Sequence, residues 1–292
     1  MNIQWFPGHM AKTRKMIAEN IKAVDIAIEL IDARIPISSR NPEVDDLINN
    51  KKKIVVLNKS DMADPEVNEK WRAYFSASGQ TCVFADSING TGLNKIKSEL
   101  KKIMQPIFGK DMQKGRIFRP IRVMVIGIPN VGKSSFINKI AGGAAAKTGD
   151  RPGVTKSKQW VRLAVDIELL DTPGILWPKF DNEETALNLA FTGAIKDEIM
   201  DTAELAIKLI EKLMASYPEY FSKRYKLENE SPENLTPVQI LEKCALKRGC
   251  IIKGGAVDYK RIADLILDEF RGAKIGKISL ESPERGFYEK DI

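Results

Sequence analysis

Short, nearly continuous apolar runs alternate with helical patterns over the first 180 residues of the chain. Runs of this kind are typical of strands that are buried on both faces of a parallel sheet. The predicted strands lie at residues 24–31, 54–57, 81–85, 121–126, 158–163 and 165–170, and the predicted helices at 9–22, 41–50, 64–78, 92–104 and 135–140. Strands that alternate with helices predict a doubly wound, mostly parallel α/β fold.

From residue 181 onward only helical patterns remain, at 202–215, 236–249 and 258–271, and the chain beyond Gly276 is expected to be loose. The sequence therefore predicts an α/β domain at 1–180 and a small all-helical domain at 181–292. Within the α/β domain, a basic segment rich in helix breakers predicts a linker. The linker, at 106–120, separates two halves at 1–105 and 121–180.

The segment Gly127–Ser134 reads GIPNVGKS, which matches the phosphate-binding pattern GxxxxGK[ST] between a strand and a helix. Its glycines allow successive main-chain N–H groups to face phosphate oxygens, and the helix N-terminus adds a partial positive charge. Lys133 is predicted to bind the β- and γ-phosphates, and Ser134 to ligate Mg²⁺. A chance glycine-rich turn is the alternative. The other predicted nucleotide contacts of this loop are Pro129, Asn130, Val131, Gly132 and Ser135.

The sequence Asn58-Lys59-Ser60-Asp61 follows a predicted strand and matches the pattern NKxD. The Asp61 carboxylate can accept hydrogen bonds from N1–H and the exocyclic amine of guanine, whereas adenine offers neither donor and would leave the carboxylate unpaired. Asn58 and Lys59 are predicted nucleotide contacts with it. The loop at 85–90, which contains Asp86 and Ser87, is expected to contact guanine O6 through a main-chain N–H.

Asp171-Thr172-Pro173-Gly174 matches the pattern DxxG, although Pro-Gly also forms turns without any function. Asp171 is predicted to hold Mg²⁺ through water, and the Gly174 N–H to bind the γ-phosphate. Thr155, in the loop after the phosphate-loop helix, is the predicted second protein ligand of Mg²⁺. The chain therefore contains the parts of a site for a guanine nucleotide with Mg²⁺.

These motifs occur in a rotated order, because NKxD and the 85–90 loop precede the phosphate loop, Thr155 and DxxG. Rotation leaves the site intact, since all of these loops follow the carboxyl ends of strands in one sheet. With this order, and with its segments Trp5–Met10 and Asp32-Ala33-Arg34, the chain resembles the circularly permuted GTPases. It is most similar to the ribosome biogenesis GTPase A (YlqF-like) family, over essentially its whole length.

The resemblance implies a cytoplasmic enzyme that binds GTP and GDP and hydrolyses GTP. It also implies that the enzyme binds the precursor of the large ribosomal subunit, with its rRNA and ribosomal proteins, and acts late in assembly. Asp86-Ser87 departs from the Ser-Ala that is usual in GTPases. Since the chain passes directly from DxxG into the helical domain, we hypothesise that loss of the γ-phosphate relaxes Gly174 and reorients that domain.

Ile175 follows the DxxG glycine, where Ras-like enzymes have the glutamine that orients the attacking water. An isoleucine cannot orient water, so hydrolysis is expected to be slow alone and stimulated by ribosomal particles. The resemblance implies that Asn130 holds a potassium ion beside the phosphates, although Asn is also common in loops. His9, the single histidine, is either a structural residue or the group that positions water.

The net charge of +7 is unevenly distributed, since residues 1–179 carry 29 basic and 18 acidic residues. Residues 181–234 are acidic, whereas residues 243–277 have nine basic and four acidic residues. Segregated positive charge predicts a polyanionic partner such as RNA, with solubility as the plainer explanation.

No signal peptide or apolar run of membrane-spanning length is present, and three cysteines suggest a reducing compartment. We expect a monomer that does not bind membranes. The alternatives are a GTP-regulated protein-binding switch without a nucleic-acid role, and a P-loop kinase of a small metabolite.

Overall fold

A six-stranded sheet forms the centre of the computed structural model, which describes residues 8–49, 51–113, 119–143, 159–164, 166–172, 174–177 and 182–284. The strands are β1 (Ile26–Asp32), β2 (Lys52–Asn58), β3 (Cys82–Phe84), β4 (Ile121–Ile126), β5 (Gln159–Ala164) and β6 (Ile167–Asp171). Their order is β3-β2-β1-β4-β6-β5, and all neighbours are parallel except β5 and β6. The predicted mostly parallel α/β fold is therefore confirmed.

The middle of the sheet joins the two halves of the rotated chain. β1 pairs in parallel with β2 on one side and with β4 on the other, with Ile28 opposite both Ile54 and Val125. Every residue of β1 is buried, including the charged Glu29 and Asp32, which agrees with its nearly continuous apolar pattern. The loops that follow β1, β2 and β4 consequently emerge side by side at one edge of the sheet.

Five helices lie along the α/β segment, which is the name used here for the described residues up to 177. They are α1 (Gly8–Asn20), α2 (Val44–Leu47), α3 (Pro65–Ala77), α4 (Leu93–Gln113) and α5 (Lys133–Ala141). The side chains pack into two apolar clusters, a large one containing Ile28 and Phe136 and a small one containing Leu57 and Trp71. Most of the sheet is thus covered by buried apolar residues.

Two boundaries in the α/β segment differ from the prediction. α4 continues through Pro106 to Gln113, so the predicted linker at 106–120 is helical in its first part, and residues 114–118 lie outside the described residues. A proline interrupts only part of the hydrogen-bond ladder, and the neighbouring Met104 is fully buried and holds the helix in place. α2 is a single turn rather than a helix over 41–50, because Asn49 adopts a left-handed conformation with φ 50°.

Residues 182–284, here called the helical segment, contain no strand of the sheet among the described residues. Their helices are α6 (Glu183–Phe191), α7 (Thr202–Ser216), α8 (Pro218–Tyr225), α9 (Pro237–Arg248) and α10 (Tyr259–Arg271). The predicted start of α9 is present, because Thr236 and Gln239 form a reciprocal capping box. α6 and α8 were not predicted. Both are short, and α6 begins at an Asn182 cap rather than at a strong sequence signal.

Residues 277–284 return to the α/β segment, so the prediction of a loose tail is wrong for these residues. Ile278 and Leu280 are buried, and their N–H groups donate to the carbonyls of Met62 and Arg34 at 3.0 and 2.9 Å. The alternation of Ile278 and Leu280 with polar residues is the sequence signal of this extended segment. We call residues 277–281 the return segment.

The return segment ends at a buried carboxylate. Glu281 accepts hydrogen bonds from the N–H groups of Ile37 and Ser38 at 2.7 and 3.0 Å, from the Ser38 hydroxyl, and from Asn188 Nδ2 of α6 at 3.0 Å. Burial raises the pKa of Glu281 in spite of these donors.

Among the described residues, no helix is long and apolar enough to cross a membrane.

Candidate nucleotide-binding site

The loop between β4 and α5 needs glycine at two positions. A Cβ on Gly127 would lie 2.5 Å from the carbonyl oxygen of Leu30 in β1. Gly132 has φ +93°, and a Cβ there would lie 2.5 Å from Asn58 Nδ2. Any side chain at these positions would push the loop away from the two neighbouring strands, so the glycines of the phosphate-binding pattern fix where the loop sits.

Lys133 is the first residue of α5, and its side chain lies back across this loop. The residue is buried, and Nζ donates to the carbonyl oxygens of Gly127 and Ile128 at 3.1 and 2.7 Å. Ser134 and Ser135 follow in the first turn of the same helix. The structure therefore places an ammonium group and the N-terminus of a helix at the same loop, which is the arrangement that binds phosphate in proteins.

The NKxD loop contacts the phosphate loop directly. Asn58 Nδ2 donates to the carbonyl of Val131 at 2.8 Å, and Lys59 Nζ donates to the carbonyl of Asn130 at 2.7 Å. Ser87 Oγ donates to Asn58 Oδ1 at 2.5 Å, which adds the 85–90 loop to the same group. Segments 70 residues apart in the chain are thus brought to one rim of the sheet by the parallel arrangement of β2 and β4 around β1.

Lys59 also belongs to a buried charge cluster, which consists of Asp32, Arg34 and Lys59 and is called the Asp32 cluster below. Arg34 Nε and Nη2 donate to the two carboxylate oxygens of Asp32 at 2.9 and 2.8 Å, and Lys59 Nζ lies 3.1 Å from Asp32 Oδ2. Burial disfavours the charged carboxylate, but Arg34 and Lys59 hold the pKa of Asp32 well below its ordinary value. The ion pair with Lys59 was not predicted, because no local pattern links the two residues.

The two remaining acidic residues of the rim differ in their surroundings. Asp86 Oδ1 accepts from the N–H groups of Ile88 and Asn89 at 2.8 and 3.0 Å, and Oδ2 accepts from Asn89 Nδ2 at 2.6 Å. Its side chain thus shapes its own loop. Asp61 is partly exposed, and burial, together with the charge of Asp86, raises its pKa.

The DxxG segment approaches the phosphate loop from the other side. Thr172 Oγ1 donates to the carbonyl of Val125 at 2.5 Å, which fixes the end of β6 to β4. A Cβ on Gly174 would lie 2.8 Å from Pro129 N and 3.0 Å from Lys133 Nζ, so only glycine fits there. Ile175 is fully buried and donates its N–H to the carbonyl of Gly127 at 3.1 Å.

Several predicted site residues cannot be placed in the same detail. Thr155 lies outside the described residues. The backbones of His9, in α1, and of Asp171, at the end of β6, are described, but their side chains are not.

Asn130 has a contact that the sequence did not indicate. Its backbone is left-handed, with φ 55°, which is uncommon for a residue with a side chain. Its side-chain Nδ2 donates to the carbonyl of Gly193, in the helical segment, at 2.6 Å. The phosphate loop is therefore attached to both segments of the protein.

A phosphate loop, an NKxD loop and a DxxG segment at one rim of a mostly parallel sheet define a P-loop GTPase, and the order of these motifs along the chain makes it a circularly permuted one. Comparisons with known proteins agree. A family profile described as "50S ribosome-binding GTPase" matches residues 122–243.

The chain is 46% identical to ribosome biogenesis GTPase A of Bacillus cereus over 97% of its length and 95% of that protein. It is 31% identical to the protein of the same name from Thermotoga maritima, over 97% of this chain and 95% of that one. A GDP-bound YlqF structure matches with a TM-score of 0.64 and 27% identity, over 92% of this chain and 99% of that chain. The chain belongs to the ribosome biogenesis GTPase A family.

Proposed function

We propose that this GTPase is an assembly factor that binds the precursor of the large ribosomal subunit in a nucleotide-dependent way. The observation that carries the proposal is the direct contact of Asn58 and Lys59 with the carbonyls of the phosphate loop, which supports a single site for the base and the phosphates at this rim. The family name of the relatives and the profile of 50S ribosome-binding GTPases support the ribosomal part. The α/β and helical segments would be two domains with their boundary near residue 180.

Each residue of the rim has a proposed role. Asp61 would accept the two donors of guanine, and the Ser87 N–H would bind O6, since the Asp86 N–H donates to the carbonyl of Thr91. Main-chain N–H groups of the phosphate loop and Lys133 would hold the phosphates, and the Gly174 N–H the γ-phosphate. Phosphates fit there because Gly174 leaves no side chain between the DxxG segment and Lys133.

Ser134, Thr155 and Asp171 would hold Mg²⁺. A hydroxyl and carboxylate set suits this ion, which prefers hard oxygen ligands and retains several waters. When bound, Mg²⁺ neutralises the charge that develops between the β- and γ-phosphates. The chain's own residues position the phosphates, and Lys133 supplies the fixed positive charge on the protein side.

Water activation would depend on groups other than Ile175, because its side chain is buried in the core. We propose that Asn130 ligates potassium through its amide oxygen, since its nitrogen donates to Gly193. We also propose that His9 positions the water when a ribosomal particle is bound. A His9→Ala variant should keep its GDP affinity and lose particle-stimulated turnover. Unchanged particle-stimulated turnover in His9→Ala would contradict the proposed role of His9. Equal turnover rates in sodium and in potassium would contradict the proposed potassium site at Asn130.

RNA contact would use the basic residues around α9 and α10. Lys247, Lys253 and Lys260 are half-exposed or exposed there, beside the exposed apolar residues Leu246 and Ile252. Phosphate contacts predict binding that weakens steeply with salt. The apolar residues favour the alternative of a protein-binding switch, in which binding would depend little on salt.

Sedimentation with large-subunit precursors, in GTP and in GDP at several salt concentrations, tests the proposal. We expect co-sedimentation that differs between the nucleotides and falls with salt. Turnover with and without particles is measured in parallel. If the protein does not co-sediment with the particles and they do not stimulate its GTP turnover, the ribosomal role is contradicted. The alternative of a GTP-regulated protein-binding switch would then be favoured. Cytoplasmic location and a monomeric state remain predictions.

A further inference from the structure

Gly193 lies between the phosphate loop and α10. Its carbonyl accepts the hydrogen bond from Asn130 Nδ2 at 2.6 Å, and its φ is +74°. A Cβ at this position would lie 3.5 Å from Asn130 Nδ2 and 3.3 Å from Arg271 Nε. The turn after α6 is therefore packed tightly between Asn130 on one side and Arg271 on the other, and the position of its carbonyl depends on both.

Arg271, the last residue of α10, holds this turn through its guanidinium group. Nε and Nη2 donate to the carbonyls of Phe191 and Ala190, in the last turn of α6, at 3.0 and 2.9 Å. Nη1 and Nη2 also donate to the Asp197 carboxylate at 2.6 and 2.8 Å. A planar fork with several donors can make all of these contacts at once, which a lysine cannot.

A second connection runs from α10 to the same residue of the phosphate loop. The carbonyl of Arg271 accepts from Arg34 Nη1 at 3.3 Å, and Arg34 belongs to the Asp32 cluster. The third member of that cluster, Lys59, donates to the carbonyl of Asn130 at 2.7 Å. Arg271 is thus linked to the side chain of Asn130 through Gly193 and to its main chain through Arg34, Asp32 and Lys59.

We propose that Arg271 is a positioning residue for nucleotide binding, which holds Asn130 in its left-handed conformation from the helical segment. A residue with a side chain keeps positive φ only where its surroundings require it. The φ of Asn130 sets the direction of the neighbouring N–H groups of the loop. Loss of the Arg271 guanidinium frees the Gly193 turn, which allows Asn130 to relax and turns N–H groups away from the phosphates, whereas the connection through the main-chain carbonyl of Arg271 remains. The inference rests on the proposed position of the phosphates in the 127–134 loop.

The test compares Arg271→Gln with Arg224→Gln in the full-length protein. Arg224 Nε donates to Glu269 of the same helix α10 at 2.8 Å, so both variants remove a guanidinium contact of α10. GDP affinity and the thermal midpoint are measured for each. We expect Arg271→Gln to weaken GDP binding about 3- to 10-fold, the equivalent of one or two net hydrogen bonds. Arg224→Gln should lower the midpoint with no change in affinity.

Arg271→Lys is the conservative variant, and it also serves if Arg271→Gln fails to fold. It keeps one charge for Asp197 but lacks the fork, so its GDP affinity should lie between those of the wild type and the glutamine variant. GDP should also slow amide hydrogen exchange at residues 190–195 in the wild type and not in Arg271→Gln, because coupling between two sites is reciprocal.

Three results would overturn the inference: wild-type affinity in both Arg271 variants, an equal loss of affinity in Arg224→Gln, or exchange at 190–195 that ignores GDP. Lys133→Ala separates this failure from failure of the proposed site. If Lys133→Ala binds GDP like the wild type, the phosphates are not in this loop and the proposed function fails. If Lys133→Ala loses GDP and the Arg271 variants do not, only the role of Arg271 is wrong.

Discussion

The α/β segment and the helical segment each contain a buried carboxylate that pairs with two cations and lies close to other elements of the protein. Asp32 is paired with Arg34 and Lys59, and Glu269 with Arg224 and Arg248. Their exposed fractions are 1% and 3%. In both cases two cations outweigh the cost of burial, and they hold the pKa of the carboxyl group below its usual value.

The partners beyond each carboxylate differ. Glu269 also accepts from the Tyr225 hydroxyl at 2.9 Å, so all of its partners are side chains of α8 and α9 and the cluster fastens these helices to α10. Asp32 instead fixes Lys59, whose other contact is a main-chain carbonyl of the phosphate loop. The same chemistry therefore stabilises the fold in one segment and arranges the candidate site in the other. Four predictions test this difference.

The largest effect is expected from Glu269→Ala. This change removes the buried carboxylate that pairs with Arg224 and Arg248 and accepts from the buried Tyr225 hydroxyl. Breaking a buried ion pair costs about 3–5 kcal/mol of unfolding free energy. Denaturant unfolding measures the loss, and GDP affinity of the folded fraction should not change. Glu242→Ala removes an exposed contact with Tyr259 and is the control, with an expected cost below about 1 kcal/mol. Weakened GDP binding in Glu269→Ala would contradict the proposed difference, because the Glu269 cluster would then also affect the candidate site.

Asp32→Asn should affect both properties. The amide keeps the shape of the carboxylate but leaves Arg34 and Lys59 without a counter-charge, so we expect about 3 kcal/mol of lost stability and about 10-fold weaker GDP binding. Asp25→Asn is the control at the other end of the same sheet, where Asp25 pairs with the half-exposed Arg119. Unaltered GDP affinity in Asp32→Asn would mean that its cluster is structural, like that of Glu269.

Asp61→Asn is expected to change base choice with little effect on stability. Loss of two charge-assisted hydrogen bonds should weaken GDP binding about 100-fold, whereas the amide can pair with the N1–H and C2 carbonyl of xanthine. Competition between GDP and xanthosine diphosphate measures the change of preference from guanine to xanthine. Asp64→Asn is the control. Asparagine can still cap α3 at this position, so this variant should keep its preference for GDP over xanthosine diphosphate. Retained preference for GDP in Asp61→Asn would place the base elsewhere.

The smallest effect is a pH dependence of GDP affinity. The bound base requires the ionised Asp61, and burial raises the pKa of this group in the free protein. The free protein then binds more protons than the complex, so affinity falls as the pH drops through that pKa, by up to about tenfold per unit below it. Titration calorimetry should detect the onset at a higher pH than an ordinary aspartate would give.

The raised pKa of Asp61 affects the free energy of unfolding in the opposite direction to its effect on GDP affinity. The folded pKa of Asp61 lies above the unfolded value, so its contribution is complete below the unfolded pKa and is lost as the pH rises through the folded pKa. The affinity profile of Asp61→Asn should lack the acidic fall. A fall that persists in this variant would assign the titration to another group.

The sequence predicted the elements whose signals are local. The phosphate loop, its glycines and the strands around it follow from short patterns, since Gly127 and Gly132 are required by contacts that any phosphate loop makes. The pairing of β1 with β4, which joins the two halves of the chain, was not predicted. Local signals were insufficient where tertiary contacts decide the structure, as in α4, which continues through Pro106 because Met104 is buried.

The contacts of polar side chains between distant segments could not be predicted. No sequence pattern indicates that the Asn130 side chain contacts Gly193. Likewise, nothing in Asp32-Ala33-Arg34 indicates a contact with Lys59 or with the carbonyl of Arg271. Such partners have no sequence period, and each pairing depends on the completed fold. The residues proposed to contact the nucleotide were therefore easier to predict from the sequence than the residues that hold them in position.

The two ends of the helical segment meet at Ser38. Asn188, near its start, donates Nδ2 to Ser38 Oγ at 3.1 Å, and Glu281, at its end, accepts from the same hydroxyl. The first helix and the last residues of the helical segment therefore share one acceptor-donor group of the α/β segment. The hypothesised reorientation of the helical segment would have to break these hydrogen bonds or leave Asn188 and Glu281 in place beside Ser38, so its smallest form is a rotation that keeps both ends where they are.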